Sequence, residues 1–146
     1  MCSNGIKTEE HDVGNSSVHP PVSMRLPCQA SSVPVARQEL KHWMSGLGGS
    51  GERIEDARVV ISELLGNAVR HAAPLADGSI LVTWGLHCGS VSLAVTDGGS
   101  DTGPRRMDSP TSALTGRGMA IVDALAQDWW LEQTPTRSTV HARLGV

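Results

Sequence analysis

The sequence lacks several features that would mark a membrane, secreted or metal-binding protein. It has no run of about 18 apolar residues, so no membrane-spanning helix is predicted. The three cysteines are odd in number and lack C-x-x-C spacing, so neither a disulfide framework nor a zinc site is predicted. The first residues lack the basic patch and apolar core of a secretory signal. These absences predict a protein of the reducing cytoplasm.

Charge is also modest and evenly mixed. The chain of 146 residues has 12 basic and 15 acidic side chains, a formal net charge of -3. The basic residues are scattered and form no stripe, so we expect no direct binding of nucleic acid. With 39% apolar and 18% charged residues, the composition is that of one soluble globular domain.

The composition divides the chain into two regions. Residues 1–21 are rich in Ser, Gly, Asn, His and Pro, with too few large apolar side chains to offset the entropy of ordering. We therefore expect a flexible tail in residues 1–21 and one domain in residues 22–146. His11 and His19 lie in the tail without a third ligand at a useful spacing, so we expect solvated histidines there.

Apolar residues at spacings of three and four predict two helices in the first half of the domain. The first should begin at Ser31-Ser32-Val33-Pro34, where a capping hydroxyl precedes a proline in the first turn. It should end at the glycines between Gly46 and Gly51. The second helix should end near Pro74. Its apolar stripe consists of Ala57, Ile61, Leu64, Ala68 and Ala72.

A polar line runs beside this stripe on the second helix. Glu63, Asn67 and His71 follow one another at intervals of four residues, so they share one side of the helix. Because the buried face is wide, Glu63 and Asn67 lie at its margin and face a cleft. A solvated polar flank is the competing interpretation, and the helix taken alone favours it.

Two strands, 80–86 and 91–97, are predicted to form a hairpin through a Cys-Gly-Ser turn. The apolar residues of the second strand share a parity with Asp97, which therefore points to the apolar face. An ionised carboxylate on such a face is costly unless a donor meets it. We interpret Asp97 as the acceptor for a donor on a ligand; a simple turn aspartate is the alternative.

A polar segment, Gly98–Thr115, follows and is long enough to suggest a mobile lid. Gly116-Arg117-Gly118 then opens a helix, where backbone N–H groups can approach an anion at the positive helix end. A flexible helix entry is the competing interpretation of these glycines. The last two strands, 130–134 and 138–144, should complete an antiparallel sheet, with the Ser138 hydroxyl on the core side beside the inward carboxylate.

The order of these pieces resembles the GHKL ATPase superfamily, whose members share the Bergerat ATP-binding fold. That order is a helix with Glu-x-x-x-Asn, a strand ending in Asp-x-Gly, a loop, a G-x-G helix start and a hydroxyl on the last strand. The match runs from about Arg25 to Leu144, and the most specific stretch is Glu63 to Ala72. Together with Gly116-Arg117-Gly118-Met119 and the short domain, this stretch is similar to bacterial anti-sigma-factor serine/threonine kinases.

The resemblance implies an α+β fold. This fold is a two-layer α/β sandwich in which helices cover one face of a mostly antiparallel sheet. It also implies ATP and Mg²⁺ as ligands. Asn67 then corresponds to the asparagine that holds Mg²⁺ against the triphosphate, a role that suits a neutral oxygen ligand. Glu63 corresponds to the glutamate taken as general base, and Gly116 and Gly118 to the glycines at the phosphates.

Further residues match the adenine end of the family site. Asp97 corresponds to the aspartate that accepts from the adenine amino group, and Gly99 to the glycine that lets the base lie close to the backbone. Ser138 corresponds to a position that is usually threonine. Thr139 is the alternative if the register slips by one residue.

Two positions depart from the family pattern. Asp101 stands where the first glycine box often has a second glycine, and it adds negative charge near a polyphosphate. Arg137 replaces the usual glycine of the last strand. Because of the negative charge of Asp101, we expect a modest affinity for ATP. These departures keep open an alternative function, a non-catalytic ATP-binding module (a pseudokinase) that sequesters a protein partner.

The implied function is phosphorylation of an anti-sigma-factor antagonist on Ser or Thr. Phosphate adds charge to the antagonist and changes its docking, so the kinase switches between the antagonist and a sigma factor and thereby regulates transcription. A sensor histidine kinase fits less well, because no long dimerisation helix with a phospho-acceptor histidine precedes the domain. Homodimer formation is left open.

Overall fold

A computed structural model describes residues 20–99 and 116–146, with side chains from residue 119 onwards in the second range. The predicted tail, apart from its last two residues, and residues 100–115 of the predicted lid lie outside the described residues. The helices and strands are β1 (Val22–Pro27), α1 (Ser32–Gly46), α2 (Gly51–His71), β2 (Ser79–His87), β3 (Ser90–Asp97), α3 (Gly116–Leu125), β4 (Asp128–Gln133) and β5 (Ser138–Leu144).

The five strands form one sheet in the order β1-β2-β3-β5-β4, and each neighbouring pair is antiparallel. Residues of alternate parity point to opposite faces of such a sheet. In β5, for example, Val140, Ala142 and Leu144 are buried, whereas the residues between them are only half-buried. The buried parity packs against the helices. The two-layer α+β sandwich predicted from the sequence is therefore confirmed.

The core lies between the sheet and the three helices α1, α2 and α3. Its largest fully buried side chains are Leu40, Met44, Ile61, Leu65, Ile80, Leu93, Met119 and Leu144. They come from all three helices and from three strands, so one continuous apolar cluster holds the two layers together. Burial of this apolar surface is the main favourable contribution to folding.

The helix α2 is the longest of the described helices, with 21 residues. The Ser50 side chain caps its start by accepting a hydrogen bond from the N–H of Arg53 at 3.2 Å. Arg70 and His71 lie in its last turn, where positive charge is favourable to the helix dipole. Within residues 20–99 and 116–146, no helix has the length and apolar character needed to cross a bilayer.

The predicted hydroxyl cap of α1 is wrong. Ser31 precedes the helix, yet its side chain makes no capping hydrogen bond. Its hydroxyl instead accepts from Nε2 of Gln29 at 2.9 Å. The buried Ser32 hydroxyl donates to the Pro27 carbonyl oxygen at 2.6 Å. A tertiary contact between α1 and the end of β1 therefore replaces the local cap.

The hairpin between β2 and β3 has the predicted position but an unexpected cysteine. Cys88 and Gly89 form its two-residue loop, and both have positive φ, 55° and 80°. Such a pair is typical of a type I′ turn, whose twist matches the flanking strands. Cys28 is free, whereas Cys88 is disulfide-bonded. The expectation that no disulfide forms is therefore wrong at Cys88.

The turn after β3 is tied to the chain that leaves α2. The N–H of Gly98 donates to the Ala73 carbonyl oxygen at 2.8 Å, and the N–H of Ala73 donates to the Gly99 carbonyl oxygen at 2.9 Å. A Cβ at Gly98 would overlap the Pro74 carbonyl oxygen and lie 2.9 Å from its carbonyl carbon. Only glycine permits this close approach of the two backbones.

Replacement of Gly98 with alanine should therefore lower the free energy of unfolding by about 3 kcal/mol or more, because a fixed backbone carbonyl must move. Urea denaturation measures the loss. Gly78→Ala is the control: Gly78 has φ +85°, but a Cβ there meets no atom within 4 Å. It should lose only about 1 kcal/mol, from left-handed backbone strain. Equal losses in the two variants would contradict the packing argument.

Candidate functional site

The second half of α2 presents two polar side chains at the edge of the core. Asn67 is only 4% exposed, and Glu63, one turn earlier on the same side of the helix, is half-buried. A buried amide is costly unless its donor and acceptor atoms have partners. The position of both residues matches the margin of the buried face that the helical periodicity predicted.

Both ends of the Asn67 amide have partners. Its Nδ2 donates to the sulfur of Met119, in the first turns of α3, at 3.8 Å. Its Oδ1 accepts from Nη2 of Arg70 at 3.1 Å. A guanidinium can only donate, so the amide atom that faces Arg70 must be the oxygen. The contact with Met119 brings the beginning of α3 beside Asn67.

The sheet contributes a carboxylate and a hydroxyl. Asp97 at the end of β3 pairs with Ser138 at the start of β5, and the two residues are 8% and 7% exposed. Both point to the inner face, as their parity predicted. Thr139 points to the opposite face, where its hydroxyl lies 2.9 Å from that of Thr96. The structure thus brings Ser138, and not Thr139, to the side of Asp97.

The turn after β3 combines a bound carboxylate with open space. The N–H of Gly99 donates to Oδ1 of Asp97 at 2.7 Å, so the side chain folds onto its own turn. Gly99 has φ +86°, in the left-handed region that favours glycine. A Cβ at this position would meet no atom within 4 Å. Among the described residues, the space directly beside the Gly99 backbone is therefore unfilled.

The helix α3 starts at the predicted glycine pair. Gly116 and Gly118 lie in its first turn, next to Met119. The first N–H groups of a helix have no partner within the helix and carry partial positive charge. Because Met119 contacts Asn67, this positive end lies close to the polar line of α2. The side chain of Arg117 is outside the described residues.

The two ends of the site are separated along α2. Asn67 marks one end, and Ala73, which is bonded to the turn after β3, marks the other. Because α2 ends at His71, the two are separated by four helical residues, about 6 Å along the axis, followed by the extended residue Ala72. An elongated ligand with a flat group at one end and an anionic group at the other fits this spacing. The anionic end would lie at the start of α3.

The described residues do not build a resident metal centre. No group of three or more His, Cys, Asp or Glu side chains within these ranges is placed to hold a metal ion. The site offers one buried, neutral amide oxygen, that of Asn67. Magnesium keeps several waters and commonly takes one or two protein ligands together with substrate phosphates. The donor set thus fits a magnesium ion that arrives with a polyphosphate.

A groove of about 430 Å³ lies on the opposite side of the sheet, the side that bears no helix among the described residues. Its lining includes Ser23, Thr83 and His141, from three different strands. His141 is its one titratable side chain within the part of the chain that the structure describes. None of the residues predicted to bind ATP lines the groove, and no described helix begins there to receive an anion.

Sequence reasoning missed two features of the site. Arg70 was not singled out, although its spacing of three residues from Asn67 indicates neighbouring positions on the helix surface. The bond between Gly98 and Ala73 joins segments that are distant in sequence, and no local pattern indicates it.

The chain is similar to known proteins both in sequence and in structure. The sequence profile described as histidine kinase-like ATPase domain matches residues 26–144. The serine-protein kinase RsbW of Oceanobacillus iheyensis is 30% identical over 119 residues, which cover 73% of this chain and 75% of that protein. The serine-protein kinase RsbW of Listeria innocua is 26% identical over 125 residues, with 77% and 80% covered.

Two solved structures share the fold. One contains the RsbU and RsbW domains of a Mycobacterium tuberculosis protein; its TM-score is 0.68 at 24% identity, and the match covers 86% of this chain but only 32% of that one. The other is the SiaB-SiaC complex of Pseudomonas aeruginosa, with a TM-score of 0.60 at 9% identity and 97% and 99% covered. The predicted resemblance is confirmed: the chain belongs to the histidine kinase-like ATPase domain family, together with the RsbW serine-protein kinases.

Proposed function

We propose that this chain binds Mg-ATP and acts as a protein serine/threonine kinase of the anti-sigma-factor type. The observation that carries the proposal is the buried Asn67 amide, whose environment joins α2 to the start of α3. A position next to a helix N-terminus suits a metal-bound triphosphate. The name shared by the curated relatives, serine-protein kinase, supports the phosphotransfer part.

The substrate in this proposal is a Ser or Thr hydroxyl of an anti-sigma-factor antagonist, and the second partner is a sigma factor. One of the two structural neighbours was solved as a complex of SiaB with SiaC, which is compatible with a fold of this kind that docks a protein partner. Phosphorylation of the antagonist would change its charge and release it. We expect the reaction to take place in the cytoplasm, where ATP and transcription factors meet.

The adenine ring belongs at the turn after β3. Asp97 has two carboxylate oxygens with several lone pairs, so it can keep the N–H of Gly99 and also accept from an exocyclic amino group. The open space at Gly99 admits the flat base. Ser138, directly opposite in the sheet, has a hydroxyl that can donate to a ring nitrogen or a water.

The triphosphate belongs at the other end, beside Asn67. The partial positive charge of the first N–H groups of α3 favours anionic oxygens there. Asn67 would hold Mg²⁺ through Oδ1, while its Nδ2 keeps the bond to Met119 that orients the amide. The metal supplies charge neutralisation of the phosphates, and the chain supplies the orientation.

Replacement of Asn67 with alanine should weaken ATP binding far more in the presence of Mg²⁺ than in its absence, because a metal ligand acts only through the metal. Calorimetric titrations with excess Mg²⁺ and with EDTA measure both affinities. Ser62→Ala is the control, since Ser62 lies on the same helix and its hydroxyl bonds to Arg37 and to the Arg58 carbonyl oxygen. An equal loss under both conditions would assign Asn67 to fold stability.

Glu63 is the proposed general base. It is one turn before Asn67 on the same side of α2, so its carboxylate can reach a hydroxyl held next to the metal-bound phosphate. A hydroxyl is a weak nucleophile until a base accepts its proton, and the carboxylate supplies that acceptor during attack on phosphorus. The half-buried position keeps the carboxylate at the edge of the site without enclosing it.

The substitution Glu63→Gln keeps the size and polarity of the side chain but removes the base. It should lower single-turnover phosphate transfer to the antagonist by about 100- to 10,000-fold, with little change in ATP affinity. The matched control is Glu55→Gln, at an exposed position two turns earlier on the same helix. Transfer at the wild-type rate in Glu63→Gln would remove Glu63 as base. If the wild-type protein transfers no phosphate, the pseudokinase function replaces the kinase.

A further inference from the structure

Arg70 donates a hydrogen bond to the same Asn67 oxygen that the proposed function assigns to the metal. Its Nη2 donates to Oδ1 of Asn67 at 3.1 Å. Arg70 itself is exposed, whereas Asn67 is buried, so the guanidinium reaches inward from the surface of α2 to cover the amide oxygen. The oxygen that would ligate Mg²⁺ therefore has a cationic donor in this structure.

A glycine one turn earlier makes room for this arrangement. If Gly66 carried a Cβ, its three nearest neighbours would all be atoms of Arg70: Nη1 at 3.2 Å, Cζ at 3.8 Å and Nη2 at 3.9 Å. The guanidinium thus folds back over the bare backbone of Gly66. Glycine inside a helix is less favourable than alanine, so its presence here needs a reason. Space for the Arg70 head group is such a reason.

The guanidinium and a metal ion would compete for the Asn67 oxygen. A ligated Mg²⁺ would lie about 2.1 Å from that oxygen. The guanidinium nitrogen is 3.1 Å from the same atom, so two cations would be placed side by side. Like charges at this separation repel strongly at a partly buried position. Binding of the metal therefore favours withdrawal of the guanidinium.

We propose that Arg70 is a positioning residue that holds the Asn67 amide in the absence of nucleotide and is displaced by Mg-ATP. The inference rests on the proposed function and concerns how the metal enters the site. The hydrogen bond fixes the direction of the amide, with the oxygen toward Arg70 and the nitrogen toward Met119. It also competes with Mg²⁺, so it weakens the assistance that the metal gives to ATP binding.

The test compares ATP affinity with excess Mg²⁺ and with EDTA, by calorimetry on the full chain. The ratio of the two affinities reports the assistance by the metal, and contacts with the base and the ribose, which are the same in both ligands, cancel in it. Gly66→Ala, described below, leaves the charge of Arg70 in place and so separates competition for the oxygen from the effect of charge on the phosphates. Arg70→Met keeps the side-chain length but removes the donor, and it should raise the ratio about three- to tenfold. Arg70→Lys retains a cationic donor and should give a smaller increase.

Two further variants make the result specific. Gly66→Ala places a methyl group against the Arg70 head group and should also raise the ratio, although Arg70 is still present. Because the crowded atoms are the end of a flexible side chain, this variant keeps the fold and carries the test even if Arg70→Met is unstable. Arg58→Met is the control: Arg58 bonds to Glu55, three residues earlier on α2, at 2.8 Å, and its loss should leave the ratio unchanged.

The outcomes separate this proposal from the proposed function. If Asn67→Ala abolishes the metal dependence while Arg70→Met and Gly66→Ala leave the ratio at the wild-type value, the Arg70 proposal fails and the Mg-ATP site stands. A lower ratio in Arg70→Met also overturns it, since Arg70 would then assist the metal. If the wild-type protein binds no ATP, both proposals fail.

Discussion

The two hydrogen bonds between Ala73 and the turn after β3 fix the positions of the two ends of the candidate site relative to each other. They join the exit of α2 to the end of β3, the central strand of the sheet, and the glycine at position 98 permits the close approach. Because α2 is a continuous helix, this junction also sets where Glu63 and Asn67 lie relative to Asp97. The site therefore depends on backbone contacts that carry no functional group of their own.

The inner face of the fold is largely apolar away from this site. Asn67, Asp97 and Ser138 are buried polar residues on or beside the face that otherwise forms the core. Polar groups destabilise a core unless they are hydrogen-bonded, and the amide and carboxylate here are held by Arg70 and Gly99. This arrangement is typical of a site that keeps polar groups oriented for a ligand.

Periodicity predicted the features that backbone geometry determines. The inward direction of Asp97 and Ser138 follows from the two-residue repeat of strands, so both were predicted before the sheet order was known. Contacts between distant segments were not predictable in this way. Gly98 meets the exit of α2 because the folded chain brings these two segments together. Arg70 was predictable only in part. Its spacing of three residues from Asn67 places the two on neighbouring positions of the helix surface, but whether they bond depends on the packing around Asn67.

The most direct test is whether the wild-type protein prefers an adenine or a guanine nucleotide. Titration calorimetry with Mg-ATP and with Mg-GTP compares a ligand that offers Asp97 an amino group with one that presents a carbonyl oxygen at the same place. The account predicts tighter binding of Mg-ATP by about ten- to a hundredfold, since an acceptor left facing an acceptor is costly. Equal affinities for the two nucleotides, or no binding of ATP at millimolar concentration, would contradict it.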